Sequence, residues 1–186
     1  MKKDKVLRLV GIAILSALVV ILQLLGSFIR FGPVSVSLVL IPIVVGAAMY
    51  GPSAGAALGC VFSIVVLLQP DTVFFYGIHF WGTIATVLIK GTLAGWLAGI
   101  AYAILSKKKP WIGVILAAII CPIVNTGLFF LGCRLFFWDA LAELGNGNAL
   151  IYVITVMIGF NFIAEFATNI VCAPVVLRVL QAVKRK

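Results

Sequence analysis

Only one histidine and five acidic side chains occur in 186 residues, and charged residues of both signs make up just 10% of the chain. With so few imidazoles and carboxylates, a zinc or haem site has no ligand set to draw on. The four cysteines, Cys60, Cys121, Cys133 and Cys172, form no CxxC pair. Three of them lie deep in apolar runs, where cysteine behaves as a small hydrophobe. No metal and no cofactor is expected. Catalytic motifs are missing as well. There is no GxxxxGK(S/T) phosphate loop, so the chain is not expected to hydrolyse ATP by that route. Without an HExxH, an aspartate-rich diphosphate motif or a nucleophile–base pair, protease, prenyltransferase and lipid-hydrolase readings find no support, and the chain is read as a non-enzyme. Neither three-helix half repeats the other, which argues against a self-sufficient secondary transporter.

What the chain has is apolar surface. It is 64% hydrophobic with a mean hydropathy of +1.27, far outside soluble-domain averages. A soluble core of this length cannot absorb that surface, but lipid can. The formal charge of +9 would suggest nucleic acid in a soluble protein. Here eleven of the fourteen basic residues fall in three clusters between long apolar stretches: Lys2, Lys3, Lys5 and Arg8; Lys107, Lys108 and Lys109; Arg178, Lys184, Arg185 and Lys186. Such clusters flank membrane spans and mark their cytoplasmic ends. A nucleic-acid partner is therefore not expected. The basic start and first apolar run are followed by more membrane segment, so they read as a first transmembrane helix, not a cleaved signal.

Apolar periodicity and breaker residues place the spans. The first runs from Val6 to Phe28, before Arg30, Gly32 and Pro33. The stretch from Val36 to Leu68 is interrupted by Tyr50-Gly51-Pro52-Ser53, where glycine suits a helix end and proline a new first turn. Each half has about 15 residues, roughly 22 Å, short of the ~30 Å hydrocarbon core. Treating the stretch as two spans puts all three basic clusters on one side; a single kinked span would not. Phe80–Leu105, Trp111–Cys133 and Ala149–Leu180 complete the set, with Pro174 kinking or ending the last. The expected fold is an all-α membrane protein: one domain over residues 1–186, a compact bundle of six transmembrane helices with both termini cytoplasmic.

Gly51, Gly55 and Gly59 repeat every four residues, as do Gly91, Gly95 and Gly99. Each ladder clears one helix face and lets another backbone approach. Ala13 and Ala17 form a similar pair on the first helix. Lys90, Asn125, Asn161, Glu165 and Asn169 lie inside predicted spans, where a charge costs roughly 2.5–3.5 kcal/mol. They must face the protein interior or a wet cavity. Lys90 and Glu165 fall at similar depth, so they read either as an ion pair locking two helices or as a polar floor beneath a cavity open to the outside. Both can hold at once. The segments read as outer loops add Arg30, Phe74, Phe75, Tyr76, His79 and Trp81, then Arg134, Phe136, Phe137 and Trp138. These read as an interfacial aromatic belt or as the other half of a site.

The chain resembles, over nearly its full length, the substrate-binding (S) component of energy-coupling factor (ECF) transporters. The resemblance rests on the six-span size and on an ordered series of motifs. These are Ala13-Ile14-Leu15-Ser16-Ala17, Phe31-Gly32-Pro33-Val34-Ser35-Val36, Met49-Tyr50-Gly51-Pro52-Ser53-Ala54-Gly55, Lys90-Gly91-Thr92-Leu93-Ala94-Gly95, Val124-Asn125-Thr126 and Asn161-Phe162-Ile163-Ala164-Glu165. It implies a vitamin or similar micronutrient bound at the extracellular side in a bacterial cytoplasmic membrane. The implied binding residues are Lys90, Asn125, Asn161, Glu165, Arg30, His79, Trp81 and Arg134. It further implies docking of the Ala13/Ala17 face on a transmembrane coupling (T) subunit, with two ATPase subunits supplying energy. The asparagine of helix five and the Asn-x-x-x-Glu of helix six are most similar to pantothenate-type S-components. Lys90, where that pattern has arginine, offers a point charge in place of a bidentate fork, which leaves folate, riboflavin or cobalamin as other substrates. A stand-alone ion- or proton-coupled carrier using Glu165 as a relay is the competing class.

Overall fold

The computed structural model describes residues 2–26, 30–31, 34–35, 39–107 and 109–184. Helix α1 (Lys2–Gly26) leads to a two-residue antiparallel ladder, β1 (Arg30–Phe31) with β2 (Val34–Ser35), pairing Arg30 with Ser35 and Phe31 with Val34. Then follow α2 (Leu40–Tyr50), α3 (Pro52–Leu67), the short α4 (Pro70–Ile78) and α5 (Phe80–Leu105). Helix α6 (Pro110–Gly132) runs on through a π-helical turn, Cys133–Phe137, into α7 (Trp138–Leu144). Helix α8 (Ala149–Tyr152) likewise continues through a π segment, Val153–Gly159, into α9 (Phe160–Lys184).

The break between α2 and α3 falls where the glycine–proline pair predicts it. Gly51 takes φ 90°, closes α2 through its N–H on Ala47 O, and is followed by Pro52 in the first turn of α3. Among the described residues, Asp4–Gly26, Phe80–Leu105, Pro110–Leu144 and Ala149–Ala182 are long and apolar enough to cross a bilayer. Pro52–Leu67 and Pro70–Ile78, bent by 80° from one another, make a fifth if taken as one broken span. Helix α2, with 11 residues, reaches only about 16 Å, so length alone gives four or five crossings where the sequence predicts six. Two segments read as loops are helical. Phe74, Phe75 and Tyr76 lie in α4, and Arg134 to Trp138 continue the α6 rod. Pro174 sits inside α9 without ending it.

The two glycine ladders face each other. A methyl added at Gly55 would collide with the carbonyl oxygen of Gly95, and one at Gly59 with that of Gly91. One at Gly99 would lie 2.6 Å from Pro52 Cα. Helices α3 and α5 therefore cross backbone on backbone, antiparallel, as small-residue stripes allow. Ser63 Oγ lies 2.9 Å from Gly59 O and 2.8 Å from Val87 O, satisfying its hydroxyl at the crossing. Around this seam Leu40, Ile43, Val44, Leu58, Phe62, Ala94, Ala98, Ala117 and Cys121 form the dry core. Helix α1 packs at the edge. Val19, Gln23 and Gly26 are buried, while Val6, Leu9, Val10, Ile14, Leu18 and Ile21 point outward, a face for lipid or another protein.

Candidate functional site

A cavity lies between α1, α3, α4, α5, α6 and the π turn after α6. Its space outside the atoms, including the part open to solvent, is about 540 Å³. The enclosed part has room for only a few waters, so a larger ligand would need side chains to shift. Part of the wall is aromatic. Phe75 of α4 stacks edge-on with Phe129 of α6 at 5.7 Å and leans on Phe137 at 5.1 Å; all three line the cavity. The pairs Phe74/Phe75 and Phe136/Phe137 are thereby divided. Within each pair one ring is buried at the cavity and its neighbour is exposed, because adjacent residues on a helix point about 100° apart.

Polar groups lie along one stripe of α5. Thr83, Thr86, Val87 and Lys90 follow i, i+3, i+4, i+7 spacing and all line the cavity, as residues on one helix face do. The Lys90 ammonium sits 5.0 Å from the Phe129 ring centre and 5.9 Å from that of Phe62, where the negative ring faces attract a cation. Glu165 lies within electrostatic range of Lys90 and of Cys121. On α9, Asn161, Glu165 and Asn169 form one buried row while Ile163 and Val171 face outward. The inward turn of that row is what the cost of polar groups in lipid requires. Within it Asn169 Nδ2 donates to Glu165 O at 2.8 Å, and Asn161 Nδ2 to Met157 O at 3.2 Å.

The sequence-predicted residues separate clearly. Lys90 is on the cavity wall with Glu165 in range. Asn125 and Asn161 are buried in the bundle but are not among the cavity-lining residues. Asn125 stands one turn from Phe129 on α6. His79 caps α5, its Nδ1 accepting from Gly82 N at 2.8 Å, with its ring 5.3 Å from that of Phe136. Trp81 is 73% exposed and packs edge-on against Phe80. Arg134 lies 4.8 Å over the Trp138 ring, beside a separate groove of about 710 Å³ that Phe136 and Asp139 also line. The side chain of Arg30 lies outside the described residues. Ala13 and Ala17 are exposed on α1. Gln23, Gln69, Thr72, Thr83 and Thr86 line the cavity and were missed by sequence reasoning. The available signal was a glutamine in each of two otherwise apolar stretches; threonine is too common in spans to give one.

Four or five helices long and apolar enough to cross a bilayer, among the described residues, around a cavity that carries a buried ammonium, point to a multi-pass membrane protein. The family model for the ECF transporter substrate-specific component matches residues 7–177, and the chain belongs to that family. Its place is thus that of the substrate-binding subunit of an ECF transporter, with a small-molecule substrate and the coupling and ATPase subunits as partners. No curated protein and no solved structure matches the chain.

Proposed function

We propose that this chain captures a vitamin at the outer face of a bacterial cytoplasmic membrane and delivers it inward when docked on its coupling subunit. Pantothenate is the best candidate. The observation that carries the reading is the Lys90 ammonium on the wall of the cavity, in the field of Glu165 and against two aromatic rings. A cation there suits a carboxylate-bearing substrate, since an anion taken out of water needs a partner. The chain binds without doing chemistry; energy comes from the ATPases. Taking the short α2 as a sixth crossing beside the five that length allows puts the three basic clusters, at the start of α1, the α5–α6 turn and the end of α9, on the cytoplasmic side. The two exposed alanines of α1 form the surface on which the coupling subunit seats.

Native mass spectrometry of the chain purified in mild detergent tests this directly. A retained mass of a carboxylate vitamin names the substrate. Retention of riboflavin or cobalamin would refute the pantothenate assignment and keep the class. A chain that stays empty after soaking with a vitamin panel would overturn the reading, as would uptake by the lone chain in liposomes without ATPases.

A further inference from the structure

The hydrogen bonds around the cavity divide its polar groups into used and open ones. Thr72 Oγ1 donates to Val66 O at 2.6 Å, and Thr83 Oγ1 to His79 O at 2.9 Å. Gln69 Nε2 donates to the backbone oxygen of Gln23 at 3.2 Å, and Gln23 Nε2 to Gln69 Oε1 at 2.9 Å. The direction of this pair is determined at one end. A backbone carbonyl can only accept, so Gln69 must turn its NH₂ toward it and its Oε1 toward Gln23. Gln23 must in turn present its NH₂ to that oxygen. Its own Oε1 is then left over, and it too can only accept. Gln23 is 1% exposed and Thr86 5% exposed. Among the described residues, Gln23 Oε1 and Thr86 Oγ1 have no hydrogen-bond partner in the protein, and both residues line the cavity, whose wall also carries the Asp71 carboxylate. Leaving a buried polar atom unmatched is costly. Thr86 also stands one turn from Lys90 on the same face of α5, with its side chain against Gly132 of α6.

We infer that Gln23 and Thr86 are specificity-determining residues and that the cavity selects a small acid carrying a hydroxyl or amide N–H. The acid group takes Lys90, the Thr86 hydroxyl bonds to that group or its neighbour, and the ligand's donor bonds to Gln23 Oε1. The ligand class rests on the binding function proposed for Lys90, whereas the two open oxygens do not depend on it. A plain alkanoate of the same size leaves Gln23 Oε1 unmatched and binds at least tenfold more weakly, since sites built to hydrogen-bond discriminate most strongly against ligands lacking the group.

The test soaks the full-length protein, as wild type and as Thr86→Val, Gln23→Met and Lys90→Met, in an equimolar panel of small carboxylic acids with and without hydroxyl or amide donors. Pantothenate and octanoate are among them, and retention is read by native mass spectrometry. The wild type is expected to keep donor-bearing acids and not octanoate. Thr86→Val and Gln23→Met should each lose them by tenfold or more, and Lys90→Met should lose every acid. Thr86→Val guards against a folding artefact: the lost hydroxyl has no protein partner, so the ligand-free variant should melt at or above the wild-type temperature. If both variants keep the wild-type profile while Lys90→Met loses it, the oxygens are matched by water and the inference is wrong, though the Lys90 site stands. If octanoate is kept as well as the donor-bearing acids, the inference is likewise wrong. If the wild type keeps no acid, the Lys90 site and the inference fall together.

Discussion

Gly59→Ala places one methyl group where the structure has no room. The new Cβ would overlap the carbonyl oxygen of Gly91, with the Gly91 carbonyl carbon at 2.8 Å and Thr92 Cα at 3.2 Å. All three are backbone atoms of a long helix, so no rotamer change relieves the clash; α3 and α5 must separate by on the order of 1 Å. That loosens the seam along Gly55/Gly95 and Gly99/Pro52 as well, since interior contacts decay steeply with a gap of this size. Overpacking costs about 1–3 kcal/mol. Against it stands the better helix propensity of alanine, about 1 kcal/mol. The net effect is a destabilisation of up to about 2 kcal/mol, or several degrees at roughly 2–4 °C per kcal/mol for a chain of this size.

The same substitution at Gly127 provides the control. That glycine is inside α6, and a Cβ there meets nothing within 4 Å, so only the propensity gain of about 0.5–1 kcal/mol remains. Thermal melting of the two variants in one detergent, followed by loss of the monodisperse size-exclusion peak, should move in opposite directions from the wild type. Shifts of the same sign and size would show that α3 and α5 do not meet through their glycines, and would remove the basis on which the rest of the bundle is placed.

Other outcomes follow from the placement of single side chains. Lys90→Met should weaken binding of the retained acid by more than tenfold, at least about 1.4 kcal/mol, with helix content by circular dichroism unchanged; unchanged affinity with a lower melting temperature would show that the ammonium serves only to pair with Glu165. His79→Ala removes the cap on Gly82 N and should cost about 1 kcal/mol in a melting experiment, while the affinity measured by titration calorimetry stays put, because His79 is not on the cavity wall. Ala17→Trp adds bulk to an exposed face of α1; it should abolish co-purification with the coupling and ATPase subunits and leave ligand retention intact, and undiminished co-purification would place the docking surface elsewhere.

What could be read from the chain was whatever a local rule controls. Gly51-Pro52 ends one helix and starts another through backbone chemistry, and the ladders at Gly55/Gly59 and Gly91/Gly95 announce a close crossing by their spacing. The inward row of Asn161, Glu165 and Asn169 follows from the cost of polar groups in lipid. Tertiary pairings were not legible. Gln23 and Gln69 are 46 residues apart, and nothing near either one announces the other. The extension of α6 through Cys133–Phe137 was hidden because Arg134 and two aromatics look like an interface, while a π turn has no sequence signature comparable to a cap. Helix α4 had its start signals in Pro70 and Asp71, but nine residues are too few for a periodic pattern to stand out. The aromatics could be singled out from the sequence as a group. Which ring of each pair turned inward depended on helix rotation, and that is settled only by packing.

The packing device and the candidate site share the same turns of α5. Gly91, Gly95 and Gly99 hold one face of that helix against α3, and Thr83, Thr86 and Lys90 line the cavity from the adjoining face. Lys90 and Gly91 are neighbours in sequence, so the depth at which the glycine lies against Gly59 also sets the depth of the ammonium. Ser63, bridging Gly59 O and Val87 O, ties the seam to a residue of the cavity wall. A backbone-to-backbone crossing is stiff because it has no rotamers through which to yield. Phe75, Phe129 and Phe137 supply the aromatic part of the wall, and the Lys90 ammonium, fixed in depth by the seam, rests against the Phe129 ring.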